Sequence, residues 1–342
     1  MESWEQFLQL SVVVPTCNRK KQLLSVLQNL NDSSYPLLEV IIVDSGEDKL
    51  LNAEYTTFKN LCIYYLESEK SVCVQRNIGI KMARGEWIFL CDDDIEIPKD
   101  YLQKLINHVN RHNEAGVVSG LVLQEVENEW KASYPIHSAF QLCWKFIFQM
   151  GIWGEINCES NNVVIRKLKQ HYKQKGNHIS KAGWPIVTDF SGDYFITPVY
   201  GLGASLVRKQ WLIDSPYDEA LDPHGIGDNY GVNMGFPSIG VHVLNDAFVY
   251  HHRGPENRLQ KPLQYFRRAL ALDYFRRINK SLADIKKLWL LWSLAGSLIN
   301  FIFRGDRRMA RAAYKSFWMI AIEQNPYYKA HKAKERIIEP TL

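Results

Sequence analysis

Three consecutive aspartates, Asp92, Asp93 and Asp94, stand directly behind the apolar run "WIFLC" at residues 87–91. Carboxylates held this close repel one another, and burial at the end of a strand makes that worse. A hard divalent cation relieves the repulsion. Mg²⁺ or Mn²⁺ asks for one or two carboxylates and takes its remaining oxygens from a phosphorylated substrate. Capping the following stretch "PKDYLQKL" would need only one aspartate. An EF-hand calcium loop is excluded, because its sixth position demands glycine and here is Ile97. The cluster Asp92, Asp93 and Asp94 therefore predicts a metal site at the strand end.

Three other stretches place chemistry at comparable points. In "VVPTCNRKKQ", Pro15 ends an apolar run, and Thr16, Asn18 and Arg19 fall between a strand and a helix start, where anions and nucleotide edges bind. Asp44 follows "EVIIV" and suits either a turn cap in "DSGED" or the ring N–H of a uracil or guanine. Arg76, in "QRNIGIKMA", has the forked guanidinium that grips a diphosphate, whereas its neighbour Asn77 reads as a tie between loops.

The elements that must position these residues alternate along the first third of the chain. Short apolar strands ("LSVVVPT", "LEVIIVDSG", "LCIYYLE", "EWIFLC", "AGVVSGLVL") are separated by amphipathic helical stretches. Continuous apolar strands interleaved with helices predict a mostly parallel sheet covered on both faces. Ligands of such sheets bind at the carboxyl ends of the strands, where Pro15 to Arg19, Asp44 to Glu47 and Asp92 to Asp94 fall. Residues 124–200 read as less regular, with long loops. From 201 to 252 order returns in "GLGASLVRKQWLID", "HGIGDNYGVNMGF" and "VHVLNDAFVYHH", and beyond Pro262 three helical stretches follow.

Together, "SVVVPTCNR", "IIVDSGED", "QRNIGIKMARGEWIFLCDDDIEIP" and "GIGDNYG" resemble a family 2 glycosyltransferase of the GT-A fold. The resemblance is specific through residue 120, looser from 200 to 255, and absent beyond. It implies a GT-A domain over 8–261, with a nucleotide-sugar-binding half (8–122) and an acceptor-side half (123–261), and a helical extension over 262–342. It also implies a nucleotide-diphospho-sugar donor whose diphosphate shares a Mg²⁺ or Mn²⁺ ion with the Asp-x-Asp aspartates. Onto this chain it carries Asp92 and Asp94 as that motif, Asp44 as the base contact, and Pro15 to Arg19 as the donor entry, with Asp93 and Arg76 beside them. Sugar transfer with inversion needs a carboxylate that deprotonates the acceptor hydroxyl. The family supplies it as Glu-Asp at a helix start, and this chain has Asp228-Asn229 there, so Asp228 becomes the candidate base. His251 and His252 stand where related enzymes complete the metal shell, and Arg253 and Arg258 are placed to neutralise a departing diphosphate.

Composition bounds the rest. A 342-residue chain with 46% hydrophobic and 12% aromatic residues can bury one large core or two, and a net charge of +4 gives no argument for nucleic acid. Six scattered cysteines without a CxxC pair fit a reducing, cytoplasmic setting, and "MESWEQFLQL" does not read as a signal peptide. "LWLLWSLAGSLINFIF" is short of the ~20 residues that span a bilayer. Its tryptophans and basic flanks predict peripheral contact with the inner face of a membrane, which suits a glycan or lipid-linked acceptor. A nucleotidyltransferase would share the nucleotide half but should carry a Gly-rich basic signature, which "VVPTCNR" lacks. A non-catalytic, membrane-attached sugar-nucleotide-binding protein is the second alternative.

Overall fold

The computed structural model describes residues 8–237, 240–252, 254 and 259–342. They group into two compact units, the first drawn from Met1–Ala132, Gly201–Tyr217 and Val241–Asn257, the second from Ser133–Tyr200, Asp218–Gly240 and Arg258–Leu342.

The first unit begins with alternating strands and helices: β1 (Leu10–Thr16), α1 (Lys20–Asn31), β2 (Glu39–Asp44), α2 (Asn52–Tyr55), β3 (Ile63–Glu67), α3 (Val72–Met82), β4 (Trp87–Cys91), β5 (Ile95–Glu96), α4 (Tyr101–Arg111), β6 (Val117–Val126) and β7 (Glu129–Lys131). β1, β2 and β4 are buried along their whole length, as uninterrupted apolar strands of a two-sided sheet must be. The strands β3, β2, β1 and β4 lie side by side and parallel. The strand Ala204–Arg208 then runs antiparallel to β4 and β6, and Val241–His251 runs parallel to β6. Register matters for function. Thr16 pairs with Asp44, so the carboxyl ends of β1 and β2 finish level, while antiparallel pairing with β5 sets His251 opposite Ile95, one residue from Asp94.

A histidine cluster joins α4 to the strand Val241–His251. His108 Nε2 lies 3.0 Å from His242 Nδ1, and the His108 and His112 rings stack at 4.3 Å. Burial first, then His112 and His242, hold the His108 imidazole at about 4 instead of 6.5. The folded chain thus keeps His108 neutral where the unfolded chain takes up a proton. Its stabilising contribution is complete above pH 6.5 and is lost as the pH falls toward 4. A urea midpoint measured at pH 7 and again at pH 4.5 should fall, and His108→Gln should flatten the fall.

The second unit corrects the expectation of long loops over 124–200. It contains the helices Ala139–Ile147 and Val163–Lys175 and a small sheet in which Pro185–Val187 pairs with Ile152–Trp153 and His178–Ile179. These elements close over a core of Ile136, Leu142, Ile152, Cys158, Ile165, Tyr172 and Ile186. The helix Val163–Lys175 hid in the sequence because five of its thirteen residues are Lys or Arg, leaving only Ile165 and Tyr172 buried. The C-terminal part supplies the helices Lys261–Ile278, Lys287–Phe303, Arg307–Ala321 and Pro326–Ala333. The last was not anticipated, although its signal is plain: Asn325 caps it by accepting from Tyr327 N, and Pro326 occupies the first turn.

Candidate active site

The aspartates leave β4 at the edge reached by the carboxyl ends of β1 and β2. Asp92 N donates to Gly203 O at 2.7 Å, and a Cβ on Gly203 would stand 2.0 Å from Asp92 Oδ2, so a larger residue there would displace the Asp92 carboxylate. Each carboxylate has its own partner. Asp92 Oδ1 accepts from Arg76 Nη2 at 2.7 Å. Asp93 accepts from Thr16 Oγ1 at 2.7 Å and from Arg19 Nη1 at 2.8 Å. Asp94 meets the same Arg19 nitrogen at 3.0 Å and His251 Nε2 at 3.1 Å.

Much of the relief that the sequence assigned to a cation is thus supplied by two guanidinium groups. Three carboxylates face two arginines, leaving about one negative charge and one imidazole. Burial pushes the Asp93 carboxyl up to about 6; Arg19 pulls it down and Asp94 pushes it further up. Burial works against the charge on Arg19 as well, yet Asp93 and Asp94 outweigh it and raise its pKa. The buried Cys91 thiol is pushed far above its usual range by desolvation and by the three neighbouring carboxylates, so it stays protonated.

The entry loop is fitted to the same edge. Pro15 sits within β1 opposite Val43. Asn18 adopts a left-handed backbone (φ 54°), and its Oδ1 accepts from Glu47 N at 2.7 Å, tying the loop after β1 to the loop after β2. Asp44 accepts from Gly46 N at 2.7 Å and from the Tyr65 hydroxyl. Burial first, and then that bond to Asp44, holds the Tyr65 phenol well above its ordinary range. Tyr55 stacks on Tyr65 with ring centroids 5.9 Å apart, giving this end of the edge a flat aromatic wall. Below Arg76 lies the ring of Tyr217, 4.9 Å from the guanidinium carbon, and Asn77 locks Tyr217 by exchanging hydrogen bonds with its backbone.

Thr16, Asn18, Arg19, Asp44, Arg76, the three aspartates and His251 therefore gather on one sheet edge. The two candidate histidines separate: His251 turns to Asp94, whereas His252 pairs with Glu96 at 2.8 Å. Tyr65 and Tyr217 escaped the sequence reading, since an aromatic residue on or beside a strand looks like core until its partner is known. Arg253 and Arg258 lie outside the described residues.

Asp228 belongs to the second unit, at the start of the helix Asp228–Asn233, and it is buried. Its loop is anchored by Asp222, which is fully buried and bound by Arg267 Nη1 (2.9 Å), the Tyr327 hydroxyl (3.0 Å) and the His224 N–H (3.0 Å). Burial opposes this charge, but His224, Arg267 and Tyr327 hold the Asp222 carboxyl below the usual carboxylate range. Gly227 has φ 97°, and a Cβ there would come within 2.6 Å of Ala271 Cβ on the helix Lys261–Ile278. The loop that presents Asp228 is thus held by the C-terminal helices. Arg267→Ala, which strands the Asp222 charge, should cost about 3–5 kcal/mol of stability in urea unfolding.

The parallel strands bring three carboxylates and two guanidinium groups to their carboxyl ends, where open α/β sheets bind their ligands. Residues 11–179 match the model of glycosyl transferase family 2. Over that segment the chain is similar to glycosyl transferase family 2. The Bacillus subtilis glycosyltransferase YwdF is 30% identical over 118 residues, covering 33% of this chain and 44% of the relative. The amylovoran biosynthesis glycosyltransferase AmsB of Erwinia amylovora is 29% identical over 107 residues, covering 30% and 36%. The chain spans less than half the length of the first curated relatives it matches. Among solved structures, residues 1–349 of Staphylococcus aureus TarS, in complex with UDP-GlcNAc, align over 96% of this chain and 93% of that one, with a TM-score of 0.50 and 15% identity. The shared fold is of GT-A type, an α/β architecture around a mostly parallel sheet.

Proposed function

We propose that the protein transfers a sugar from a nucleotide-diphospho-sugar to a hydroxyl of a glycan or lipid-linked acceptor, with inversion, in cell-surface polysaccharide synthesis. One observation carries this reading: Arg19, Arg76, Asp92, Asp94 and His251 converge at the carboxyl ends of the sheet. Support comes from the fold likeness to TarS, solved with UDP-GlcNAc, and from the name of AmsB, which assigns it to amylovoran biosynthesis.

Among the described residues, no three His, Cys, Asp or Glu side chains form a closed metal shell. The Asp94–His251 pair instead fits an open site, one protein oxygen and one nitrogen, of the kind Mg²⁺ or Mn²⁺ fills with substrate oxygens. Asp94 and His251, with Asp92 beside them, would hold that ion; when bound, it offsets charge developing on the diphosphate. The protein's own groups do the rest. Arg76 and Arg19 present forked donors to phosphoryl oxygens. Asp44, backed by Tyr65, meets the base edge, with the Tyr55–Tyr65 wall beside it. Asp228 takes the proton from the acceptor hydroxyl as it attacks the anomeric carbon, while the nucleoside diphosphate leaves. A lipid-linked acceptor would bring the enzyme to the cytoplasmic face of a membrane.

The test is incubation with a panel of nucleotide sugars in Mn²⁺, in Mg²⁺ and in EDTA, with chromatography of the products. Nucleoside diphosphate released together with a glycosylated or hydrolysed sugar is expected. Pyrophosphate release would make the protein a nucleotidyltransferase, and metal-dependent binding without turnover would leave a sugar-nucleotide-binding protein.

A further inference from the structure

The second unit keeps a row of large apolar side chains in water. On the helix Lys287–Phe303, the exposed residues Leu288, Trp292, Ile299 and Phe303 recur at i, i+4, i+11 and i+15. At 3.6 residues per turn that confines them to about 60° of the helix surface, a single stripe. Leu288 and Phe303 are 74% and 82% exposed. The helix Ala139–Ile147 adds Phe140, 73% exposed, and Ile147 two turns later. The two stripes are neighbours. Trp292 Nε1 donates to Ile147 O at 2.8 Å, and its ring stacks on Phe148 at 4.8 Å, continuing a run of ring contacts from Phe140 through Trp144. Trp292 is therefore held in place as part of a built surface. Isolated exposed apolar residues are ordinary; a contiguous patch of aromatic and aliphatic groups is not.

Charge identifies what covers the patch. Between residues 286 and 315 seven lysines and arginines stand against one acid, Asp306, and that carboxylate caps the helix Arg307–Ala321 by accepting from Met309 N. A second copy of the chain docked through this face would set cation against cation across a two-fold axis. The complement is a surface with an apolar interior and an anionic boundary. The seventeen-residue helix is too short to span it, and among the described residues no helix is long and apolar enough to cross a membrane.

We propose that Phe140, Ile147, Leu288, Trp292 and Phe303, rimmed by Arg304 and Arg307, form a docking face for a bilayer containing anionic phospholipid. The apolar side chains enter the headgroup boundary and the arginines pair with phosphate. This deepens the reading of a lipid-linked acceptor and rests on it for its purpose, though not for its test.

The test uses the full chain in co-sedimentation with phosphatidylcholine vesicles, with and without phosphatidylglycerol. Binding only to the phosphatidylglycerol vesicles, weakened by salt, is expected. Combined Phe140→Ser, Leu288→Ser and Phe303→Ser should lower the partition coefficient at least tenfold, and combined Arg304→Gln and Arg307→Gln should abolish the lipid selectivity. Circular dichroism and donor binding in a thermal-shift assay should stay at wild-type values. The proposal is overturned if wild type ignores anionic vesicles or if the serine variant binds them equally well. It is also overturned if ultracentrifugation shows a dimer that the serine variant disperses, which would give the face to a second copy. Vesicle binding without any sugar transfer would retain the docking face and remove the transferase reading instead.

Discussion

Asp94→Ala is expected to abolish metal-stimulated donor binding. In the proposed site this side chain touches both Arg19 (3.0 Å) and His251 (3.1 Å), so its loss removes a donor oxygen and unseats two partners together. Perturbing even the outer partners of a metal site commonly costs 10–100-fold, so removing an inner ligand should cost on the order of 10²-fold or more in affinity. Titration of a nucleotide sugar in Mn²⁺ and in EDTA gives the measurement: wild type shows a large difference between the two, and the variant should show none. Asp94→Asn, which keeps the shape, separates ligation from folding. If it bound donor as wild type does in Mn²⁺, the assignment of Asp94 would fall. His252→Ala provides the contrast, because its partner is Glu96, and it should leave donor affinity unchanged.

The second large effect is expected at Asp228. Asp228→Asn preserves volume and most hydrogen bonding but cannot accept the acceptor's proton. General-base catalysis contributes typically 10²–10⁴-fold, so kcat should fall by about that factor while donor affinity holds. The separation matters: loss of transfer with intact donor binding is the signature of a base, whereas loss of both would point to a collapsed loop. Asp222 and Arg267 offer the calibration, since variants there disturb the loop itself and should lower thermal stability together with turnover.

The gathering of the first unit's candidate residues at one sheet edge was open to reading from sequence because its information is local. Thr16 and Asp44 end strands, and Asp92–Asp94 follow one, whose apolar runs are unmistakable, and parallel sheets send such ends to one edge. Pairwise partners were hidden, because they are set by register and three-dimensional approach. Nothing in "HH" distinguishes His251 from His252; the pairing of His251 with Ile95 does. Nothing in "LCIYYLE" shows that the Tyr65 hydroxyl, and not that of Tyr64, reaches Asp44. The irregular middle was misjudged for a different reason. The helix Val163–Lys175 buries only two side chains and is mostly cationic, so its period is too faint to separate from loop.

The guanidinium groups of Arg19 and Arg76 have a consequence for how a donor enters. Both pair with carboxylates of the protein itself. In the proposed function, capturing a diphosphate would be a swap, in which each arginine leaves one anion for another and frees the aspartates for a different companion. Such an interchange has little net charge to gain, so it should respond only weakly to ionic strength and proceed in concert, guanidinium release on one side matching carboxylate release on the other.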